Sequence, residues 1–362
     1  MNAIEALRRL VDVNSFTGNR AGVQEVAGLV TGMFAGLGFR PRHVGDHLAL
    51  EREGARGPKC LLVGHLDTVY PENFPWREEG GRIHGPGVCD MKGGIVVMCM
   101  ALHELGGTQD VALLFNATEE GGCADFPPLA RGFVTRETRA CLVFEPGLVA
   151  EGGATTLVTE RKGSGRFRVS VTGREAHSGH SHEKGASAIR ELARAVERIE
   201  ALTDYARGVT FNVGTIEGGT TVNSVPGRAS CSLDLRAWTP EDFAWGRAKA
   251  LALAGPGSVP GTRVEVTELP GYAPWPANEG SRALGEMACA LGAGMGMKLV
   301  AQRRGGGSDG CHLWDVVPTL DGLGPVGRNP HVSTGPDPES VDPASFLPRA
   351  KLAAALLRKL LA

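Results

Sequence analysis

The sequence predicts an α/β protein in which a mainly parallel sheet, with helices on both faces, is interrupted by an inserted α+β domain. In residues 1–162, continuous apolar runs alternate with helical patterns, as expected for buried parallel strands and their connecting helices. From residue 163 onward, several runs alternate apolar and polar residues, as strands with one solvent-exposed face do. The length of 362 residues also exceeds what one ordinary hydrophobic core requires.

The elements of the first domain follow from apolar periodicity and from the positions of glycine. Helices are predicted over 3–12, 21–37, 92–105 and 343–361, and strands over 47–50, 60–66, 111–115 and 141–144. The first two of these strands are expected to be neighbours in the sheet. The helix that follows them is apolar along most of its length, so it should be buried.

The inserted domain is indicated by the order of its elements. Strands are predicted over 166–171, 209–216, 229–235 and 263–267, and helices over 184–201 and after Thr239, an N-cap residue followed by Pro240. The resulting order, β-α-β-β-α-β, is the ferredoxin-like split unit. Residues 163–271 are therefore assigned to the inserted domain, and residues 1–162 and 272–362 to the first domain.

Composition and charge restrict the kinds of partner. The formal net charge is −2 and no long run of like charges occurs, so neither nucleic acid nor an anionic membrane is an expected partner. The N-terminus lacks the pattern of a signal peptide, and no stretch approaches the ~20 apolar residues of a membrane span. The eight cysteines form no C-x-x-C pair and are interpreted as small buried residues rather than disulfides. A soluble, cytoplasmic protein is expected.

Imidazole and carboxylate side chains follow several of the predicted strands. His65 and Asp67 come at the end of the second strand, and side chains two positions apart in a strand point the same way. Glu119 and Glu120 follow the third strand, and Glu145 directly follows the fourth. Because open α/β sheets bind ligands beyond the carboxyl ends of their strands, these side chains are expected in one crevice.

Two further candidates lie in glycine-rich loops. Asp90 lies in the segment GPGVCDMKGG, just before the buried helix, and His331 follows the segment GLGPVG. Taken one at a time, most of these candidates have a purely structural alternative. Asp90 would be a helix N-cap, Glu119 and Glu120 a solvated turn, and Glu145 an exposed loop acid.

Together, the candidates indicate a metal centre. Carboxylates crowded into one crevice repel one another, and one of them would resist ionisation. A pair of divalent ions removes this penalty, and His and carboxylate ligands without Cys suit catalytic zinc with a position left open for water. A carboxylate that bridges the pair would hold the ions ~3.5–4 Å apart, and one further acid would move protons.

The order of these segments resembles a known family. GHLDTVY at 64–70, GPGVCDMKGG at 85–94, NATEEGG at 116–122, EPG at 145–147 and GGTTVNSVP at 218–226 are similar to the di-zinc family of glutamate carboxypeptidase, acetylornithine deacetylase, succinyl-diaminopimelate desuccinylase and aminoacylase. The resemblance runs through nearly the whole chain. It implies a zinc-dependent hydrolase that cleaves the amide bond of a peptide-like or N-acyl amino acid substrate, most like glutamate carboxypeptidase.

The resemblance also implies roles for the candidates. The ligands of two Zn²⁺ ions, for which Co²⁺ or Mn²⁺ are substitutes, would be His65, Asp90, Glu120, Glu145 and His331. Asp90 would bridge the two ions. Glu119 would be the general base and later the acid, and Asp67 would orient His65. A cis peptide bond between Asp90 and Met91 is typical of the family.

Further implied roles concern substrate binding. His177 would help to stabilise the oxyanion, from the partner subunit of a homodimer that forms through the inserted domain. Asn223 and Arg236 would contact the substrate, Arg236 through a carboxylate held by two hydrogen bonds. Ser308 lies in a glycine-rich loop, residues 306–310, which is expected near the substrate.

Some alternatives stay open at this point. His312 competes with His331 as the fifth ligand, because the segment after His331 is longer than is usual in the family; apolar neighbours make His312 suitable for a core. His180 and His182, near His177, are interpreted as solvated loop residues rather than a second metal site. The alternative functions are an N-acyl amino acid deacetylase or desuccinylase and a non-catalytic metal-holding binding protein. No P-loop or dinucleotide fingerprint supports a nucleotide-binding enzyme.

Overall fold

The computed structural model describes residues 2–54, 57–106, 110–122 and 124–362. The chain divides into two compact units. Unit 1 comprises Met1–Glu160, Ala277–Arg304 and Ser308–Ala362, and unit 2 comprises Arg161–Pro276 and Gly305–Gly307. Unit 2 thus starts at residue 161 rather than 163, ends at 276 rather than 271, and includes a short separate segment.

The helices and strands follow the chain in this order. The first part of unit 1 contains α1 (Ala3–Val11), α2 (Arg20–Ala35), β1 (Phe39–Val44), β2 (His47–Arg52), β3 (Cys60–His65), β4 (Arg77–Glu79), β5 (Arg82–His84), α3 (Lys92–Leu105), β6 (Val111–Asn116), α4 (Phe126–Gly132), β7 (Ala140–Val143) and β8 (Thr155–Arg161), of which only the last residue is assigned to unit 2. Unit 2 contains β9 (Gly163–Thr172), β10 (Ala176–His177), α5 (Ala188–Glu200), β11 (Thr210–Gly218), β12 (Ser224–Val225), β13 (Arg228–Ala237), α6 (Pro240–Leu251), β14 (Gly255–Pro256) and β15 (Arg263–Tyr272). The chain then returns to unit 1 with α7 (Glu279–Gly294), β16 (Leu299–Arg304), β17 (Thr319–Leu320), β18 (Gly327–Arg328), β19 (Ser340–Val341) and α8 (Phe346–Leu361).

The main sheet of unit 1 has the strand order β1-β2-β6-β3-β7-β17. The pairs formed by β6, β3, β7 and β17 are parallel, whereas β1 and β2 pair antiparallel, so the sheet is mainly parallel as predicted. The prediction that 47–50 and 60–66 form neighbouring strands is wrong, because β6 lies between β2 and β3. Two parallel strands need a crossover connection, and the helix α3 lies in the connection from β3 to β6. After this crossover, β6 pairs with β3 on the side nearer β2.

Helices cover both faces of this sheet, as predicted. Successive side chains of β3 enter two clusters: Cys60 and Leu62 pack with α1, α2, α3 and α8, whereas Leu61 and Val63 pack with α4. Burying one such aliphatic side chain contributes about 1.5–3 kcal/mol to folding. Every residue of β3 is buried, which explains why its sequence is a continuous apolar run.

The start of α3 lies close to the end of β7 because two glycines open the helix. A Cβ atom at Gly94 would lie 2.1 Å from the backbone oxygen of Phe144, and one at Gly93 would lie 2.3 Å from the backbone oxygen of Val88. Any larger residue at either position would push the helix away. The peptide bond between Asp90 and Met91, just before the helix, is cis, as expected.

Unit 2 contains the predicted order β-α-β-β-α-β in β9, α5, β11, β13, α6 and β15. Its antiparallel sheet has the order β11-β13-β9-β15-β14. Along β9, Phe167, Val169 and Val171 are buried in a cluster with α5 and α6, and the alternate positions Arg168 and Thr172 are exposed. The fold class predicted from the sequence is therefore confirmed.

Some elements of unit 1 were not predicted, and α7 is the longest of them. Its Gly285 packs against Thr159, and its Gly292 packs against Leu299. Each glycine inside a helix costs about 1 kcal/mol of helix propensity relative to alanine. The helix therefore depends on tertiary contacts that its own sequence does not display.

The cysteines within the described residues are free thiols, buried except for the half-buried Cys289, and Cys123 lies outside the described residues. Burial raises the pKa of Cys60 and of Cys99 to about 12, so these thiols are unreactive. Across the part of the chain that the structure describes, no helix combines the length and the apolar character that crossing a bilayer requires.

Candidate metal centre and active site

Three parallel strands deliver candidate residues to one edge of the unit 1 sheet. His65 is the last residue of β3, and it lies opposite Asn116, the last residue of β6. Glu119 follows β6 and Glu145 follows β7, which pairs with β3 on its other side. This is the carboxyl edge, at which open α/β sheets bind ligands.

Asp90 lies between two histidines. Its Oδ1 is 3.1 Å from Nε2 of His65, and its Oδ2 is 3.3 Å from Nε2 of His331. Oε1 of Glu145 is 3.5 Å from the same atom of His65, and Oε2 of Glu120 is 3.2 Å from the same atom of His331. The two oxygens of Asp90 thus belong to two separate groups of candidate ligands.

This donor set fits a pair of divalent metal ions. In each group, one imidazole nitrogen and two carboxylate oxygens lie within 4.8 Å of one another, and His65, Glu119 and Glu120 form a third group. Oε1 of Glu120 is buried and has no hydrogen-bond partner among the described residues, which is costly for a carboxylate oxygen. A divalent cation would offset the cost of burying this oxygen. Histidine and carboxylate donors without cysteine suit zinc.

The backbone of Asp67 determines which nitrogen of His65 is available. Nδ1 of His65 is 3.0 Å from the backbone oxygen of Asp67 and 3.4 Å from one of its carboxylate oxygens. Both atoms are acceptors, so in the neutral imidazole Nδ1 carries the proton and the lone pair of Nε2 faces Asp90 and Glu145. This is the orientation that a histidine ligand needs.

The carboxylate of Asp67 also holds the turn that carries both glutamates. Its Oδ1 accepts a hydrogen bond from the amide of Glu119 at 3.0 Å, and its Oδ2 accepts one from the amide of Glu120 at 3.2 Å. The hydroxyl of Thr17 donates to the same Oδ2 at 2.6 Å. Asp67 therefore positions the acidic turn as well as His65. Nothing in the sequence motifs pointed to Thr17.

Without bound cations, protons compensate the charge of this cluster. Burial alone would lower the pKa of His65, but hydrogen bonds with Asp67 and Asp90 raise it well above its ordinary value. Hydrogen bonds with Asp90 and Glu120 raise the pKa of His331 to about 11. Burial raises the pKa of both Glu119 and Glu145 well above the ordinary value. These groups therefore hold more protons in the folded metal-free protein than in the unfolded chain.

We expect the metal-free protein to lose stability as the pH rises from about 5 to about 8. The glutamates and histidines have folded-state pKa values above their unfolded values. Over this window the unfolded chain therefore releases protons that the folded state still holds, and the free energy of unfolding falls as the pH rises. The lowered pKa of Asp90 acts only at more acidic pH. Divalent ions displace the same protons, so the rise in Tm on adding Zn²⁺ should grow with pH. Thermal melts of chelator-treated protein measure both effects, and a metal-free Tm that increases from pH 5 to 8 would contradict the prediction.

His331, not His312, lies beside the acidic candidates. His331 lies in the loop between β18 and β19, has a positive φ of 68°, and contacts Asp90 and Glu120. His312 belongs to none of the candidate metal groups found in the described residues. Burial, together with the charge of Arg131, lowers the pKa of His312 to about 4, which is typical of a neutral core histidine.

His177 and Asn223 are neighbours within unit 2. The strands β10 and β12 pair, and the backbone oxygen of Asn223 accepts a hydrogen bond from the amide of Ser178. Nδ1 of His177 accepts hydrogen bonds from the amides of Gly179 at 3.1 Å and His180 at 3.2 Å. In the neutral imidazole the proton is therefore on Nε2.

His180 and His182 are exposed, as is His177. The rings of His177 and His180 lie 4.5 Å apart between centroids. None of the three takes part in a candidate metal group within the described part of the chain.

Arg236 has an acidic neighbour within unit 2. Its Nε lies 2.8 Å and 3.1 Å from the two carboxylate oxygens of Asp234, and its Nη1 lies 3.5 Å from the backbone oxygen of Gly305. The guanidinium is half-buried, and among the described residues its Nη2 has no hydrogen-bond partner. One edge of the group therefore remains available for a ligand.

Ser308 and Asp309 are buried within unit 1. The hydroxyl of Ser308 donates to Oδ2 of Asp321 at 2.7 Å, which gives that hydroxyl a structural partner. Oδ1 of Asp309 accepts a hydrogen bond from Nδ2 of Asn116 at 2.8 Å, and burial raises the pKa of Asp309 to about 7. Asn116 was not predicted as a site residue, although its position at the end of β6 was a usable signal.

The chain is similar in sequence to known peptidases and deacylases. A profile of the peptidase family M20/M25/M40 matches residues 61–359. Carboxypeptidase G2 from Pseudomonas sp. (strain RS-16) is 29% identical over 378 aligned positions, which cover 99% of this chain and 89% of that protein. A putative succinyl-diaminopimelate desuccinylase from Mycobacterium tuberculosis (strain H37Rv) is 30% identical over 260 positions, which cover 69% of this chain and 70% of that protein.

The fold agrees as well. A metallo-carboxypeptidase of the M20 family from Sulfolobus solfataricus matches with a TM-score of 0.72 over 99% of both chains, at 17% identity. The family profile spans most of the sequence, and the unit 1 sheet presents a cluster of metal donors at its carboxyl edge. The chain therefore belongs to the peptidase family M20/M25/M40 and is a metallohydrolase.

Proposed function

We propose that this protein uses two Zn²⁺ ions to hydrolyse the amide bond of a peptide-like or N-acyl amino acid substrate, in the manner of a carboxypeptidase. The observation that carries the proposal is the placement of Asp90, whose two oxygens face two groups that each contain a histidine and a glutamate. The ligands that we assign are His65, Asp90, Glu120, Glu145 and His331, with Asp90 as the bridge. Co²⁺ or Mn²⁺ would be substitutes.

Bound dications would supply a Lewis acid for the scissile carbonyl and would make water a stronger acid near neutral pH. We assign to Glu119 the transfer of the proton from water to the leaving amine. Its position supports this role, because Asp67 holds its backbone beside the ligand Glu120. Its burial raises its pKa, which suits a group that accepts a proton and then releases it.

We assign the oxyanion donor to His177. Because two backbone amides occupy its Nδ1, the neutral ring presents Nε2–H as a donor. A donor aimed at the developing negative charge stabilises the transition state more than the ground state. The exposure of His177 is compatible with donation to the active site of a partner subunit.

Substrate selection would involve a carboxylate on the substrate. Arg236 is the residue we propose for this contact, because one edge of its guanidinium is available, and Asn223 is proposed to contact the substrate as well. The loop at Ser308 is proposed to contact the substrate through its backbone, since the hydroxyl of Ser308 already donates to Asp321. The similarity to carboxypeptidase G2 favours a substrate with a free terminal carboxylate. The resemblance of the sequence motifs to glutamate carboxypeptidase is our reason to propose a glutamate-like amino acid.

A second candidate is deacylation of an N-acetyl or N-succinyl amino acid, which the similarity to a desuccinylase favours. Both reactions would use the same ligands and Glu119, and they differ in the acyl group. A hydrolysis screen with Zn²⁺, Co²⁺ and Mn²⁺ over N-acyl glutamates, N-acyl ornithines and N-acyl aliphatic amino acids distinguishes them. Metal binding without hydrolysis of any substrate would instead support a non-catalytic binding protein.

Replacing Arg236 by methionine should raise KM by about 10–100-fold for substrates with a free carboxylate, as the loss of a charged hydrogen bond does. The change in kcat should be smaller, and substrates whose carboxylate is amidated should lose little. Steady-state kinetics on matched acid and amide substrates measure this. Arg247→Met is the control, since Arg247 is paired with Glu268 on the surface of the same unit. If both variants change KM equally, Arg236 does not bind the substrate carboxylate.

We also propose a homodimer that forms through unit 2 in the cytoplasm. Support comes from the exposed apolar side chains of Ile216 and Val222 in that unit, and from the free thiols of the described cysteines. Sedimentation velocity should show a dimer. A monomer at micromolar concentration would contradict the proposal.

A further inference from the structure

A buried carboxylate outside the ligand set contacts the loop that carries Asp90. Glu339 is fully buried just before β19. Its Oε1 accepts hydrogen bonds from the amides of Cys89 at 2.9 Å and Asp90 at 3.0 Å. Its Oε2 accepts hydrogen bonds from the amide of Gly87 at 3.1 Å and the hydroxyl of Tyr70 at 2.6 Å. Four donors therefore converge on two oxygens.

These hydrogen bonds satisfy both the buried charge of the carboxylate and the buried amide groups of the loop. An ionised carboxylate only accepts hydrogen bonds and has about four acceptor positions, so four donors match the ionised form of Glu339. A buried charge without such partners would be very costly. Conversely, the three amides are donors that would be buried without a partner if the carboxylate were removed. Glu339 and the loop thus stabilise each other.

Glu339 links three segments that carry proposed ligands. Tyr70 lies on the segment that follows His65 at the end of β3, and one of the donating amides is that of Asp90 itself. Glu339 also lies in the same loop as His331, between β18 and β19. A single carboxylate therefore connects three of the five parts of the chain that supply the proposed ligands; the other two carry Glu120 and Glu145.

The loop before Asp90 has little room to move independently. A Cβ atom at Gly87, where φ is 74°, would lie 2.8 Å from Cγ2 of Thr68. The backbone of Gly327 approaches Cys89 so closely that a Cβ atom there would lie 2.5 Å from Cβ of Cys89. Because the neighbours are in contact on both sides, a change in the hydrogen bonds of this loop must displace Asp90 or its surroundings.

We propose that Glu339 is a positioning residue, which fixes Asp90 in the orientation that holds two divalent ions and does not bind an ion itself. Both of its oxygens are used by amide and hydroxyl donors, and it is absent from the candidate metal groups of the described residues. The inference rests on the proposed metal-binding function. The competing explanation is that Glu339 only stabilises the fold, in which case metal affinity would not depend on it.

Glu339→Gln is the most informative variant, because it keeps the shape of the side chain and changes one oxygen into an NH₂ group. Each oxygen of Glu339 faces two donors, so the new NH₂ group would meet donors in either orientation of the amide. Asp342→Asn is the matched control. Asp342 also accepts a backbone amide, from Ala344 at 2.9 Å, but it caps the short 3₁₀ helix Pro343–Ser345.

The test titrates chelator-treated protein with Co²⁺ at a pH of about 8, because metal ions compete with protons for the ligands and compete better at higher pH. The visible absorption of bound Co²⁺ reports ligand geometry, and competition with a chelator of known affinity gives Kd. We expect wild type and Asp342→Asn to bind two ions equally, and Glu339→Gln to bind them about 10–100-fold more weakly with an altered spectrum, as the loss of an outer hydrogen-bond partner does. A folded Glu339→Gln protein with wild-type affinity and spectrum would overturn the inference. Wild type that binds no Co²⁺ would contradict the proposed function instead.

Tyr70→Phe keeps the inference testable if Glu339→Gln does not fold. It removes one of the four donors and leaves the amides in place. We expect Co²⁺ binding to weaken about three- to tenfold, which corresponds to one hydrogen bond. Far-UV circular dichroism checks that the variant is folded. Wild-type affinity in folded Tyr70→Phe would show that the contacts of Glu339 do not control the metal site.

Discussion

Replacing Glu119 by alanine is expected to lower turnover at least ~10²-fold and to leave the bound metal in place, as removal of a general base does. Glu119 is buried, and Asp67 accepts a hydrogen bond from its amide at 3.0 Å. We assign to its carboxylate the transfer of protons, and not the binding of a metal ion. We would measure kcat on the best substrate of the hydrolysis screen and metal content by atomic absorption.

Glu120→Ala is the matched comparison, since it changes the next residue of the same turn. Oε2 of Glu120 is 3.2 Å from Nε2 of His331, and we assign it as a ligand. This variant should therefore lose metal as well as turnover. Near-normal turnover in Glu119→Ala would remove Glu119 from the mechanism, and a loss of metal in that variant would show that it is a ligand.

Asp90→Asn should weaken the binding of at least one metal ion by more than ~10²-fold, which exceeds the effect of losing an outer hydrogen-bond partner. The two oxygens of Asp90 face His65 at 3.1 Å and His331 at 3.3 Å. An asparagine keeps one oxygen and presents an NH₂ group on the other side, so it accepts a metal ion on one side only. Turnover should fall as well, because the proposed reaction uses both ions.

The stoichiometry of Zn²⁺ bound by chelator-treated protein measures this directly. Asp110→Asn is the control, because Asp110 pairs with Lys59 at the surface of the same unit, with 3.1 Å between the charged atoms. We expect two ions in the control and at most one tightly bound ion in Asp90→Asn. Two ions held with wild-type affinity in Asp90→Asn would show that Asp90 is not a bridge.

The parts of the fold that were predicted from the sequence depend on local patterns. The helix over 92–105 was predicted at the bounds that the structure has, because its apolar run begins after a glycine pair and ends at Gly106. The order β-α-β-β-α-β of unit 2 was predicted because its strands alternate buried and exposed residues. In contrast, α7 was missed, since glycines dilute its periodicity and its stability comes from packing.

Candidate residues were found wherever they followed a strand or a glycine-rich loop. His65, Glu119 and Glu145 follow β3, β6 and β7, and the parallel pairing of these strands brings the three side chains together. Glu339 was not singled out, although it was noted as part of the long segment after His331. Its function depends on backbone amides at residues 87–90, and amides carry no sequence signal because every residue except proline has one.

By itself, the sequence determined the fold class and the chemical types of side chain available at the strand ends, because both follow from short-range periodicity and from residue identity. Only the tertiary structure decided that β6 separates β2 from β3, that His331 rather than His312 lies beside Asp90, and that Glu339 contacts the Asp90 loop. These outcomes depend on packing and hydrogen-bond geometry between residues far apart in the chain, and each is decided only when the distant partners are placed together.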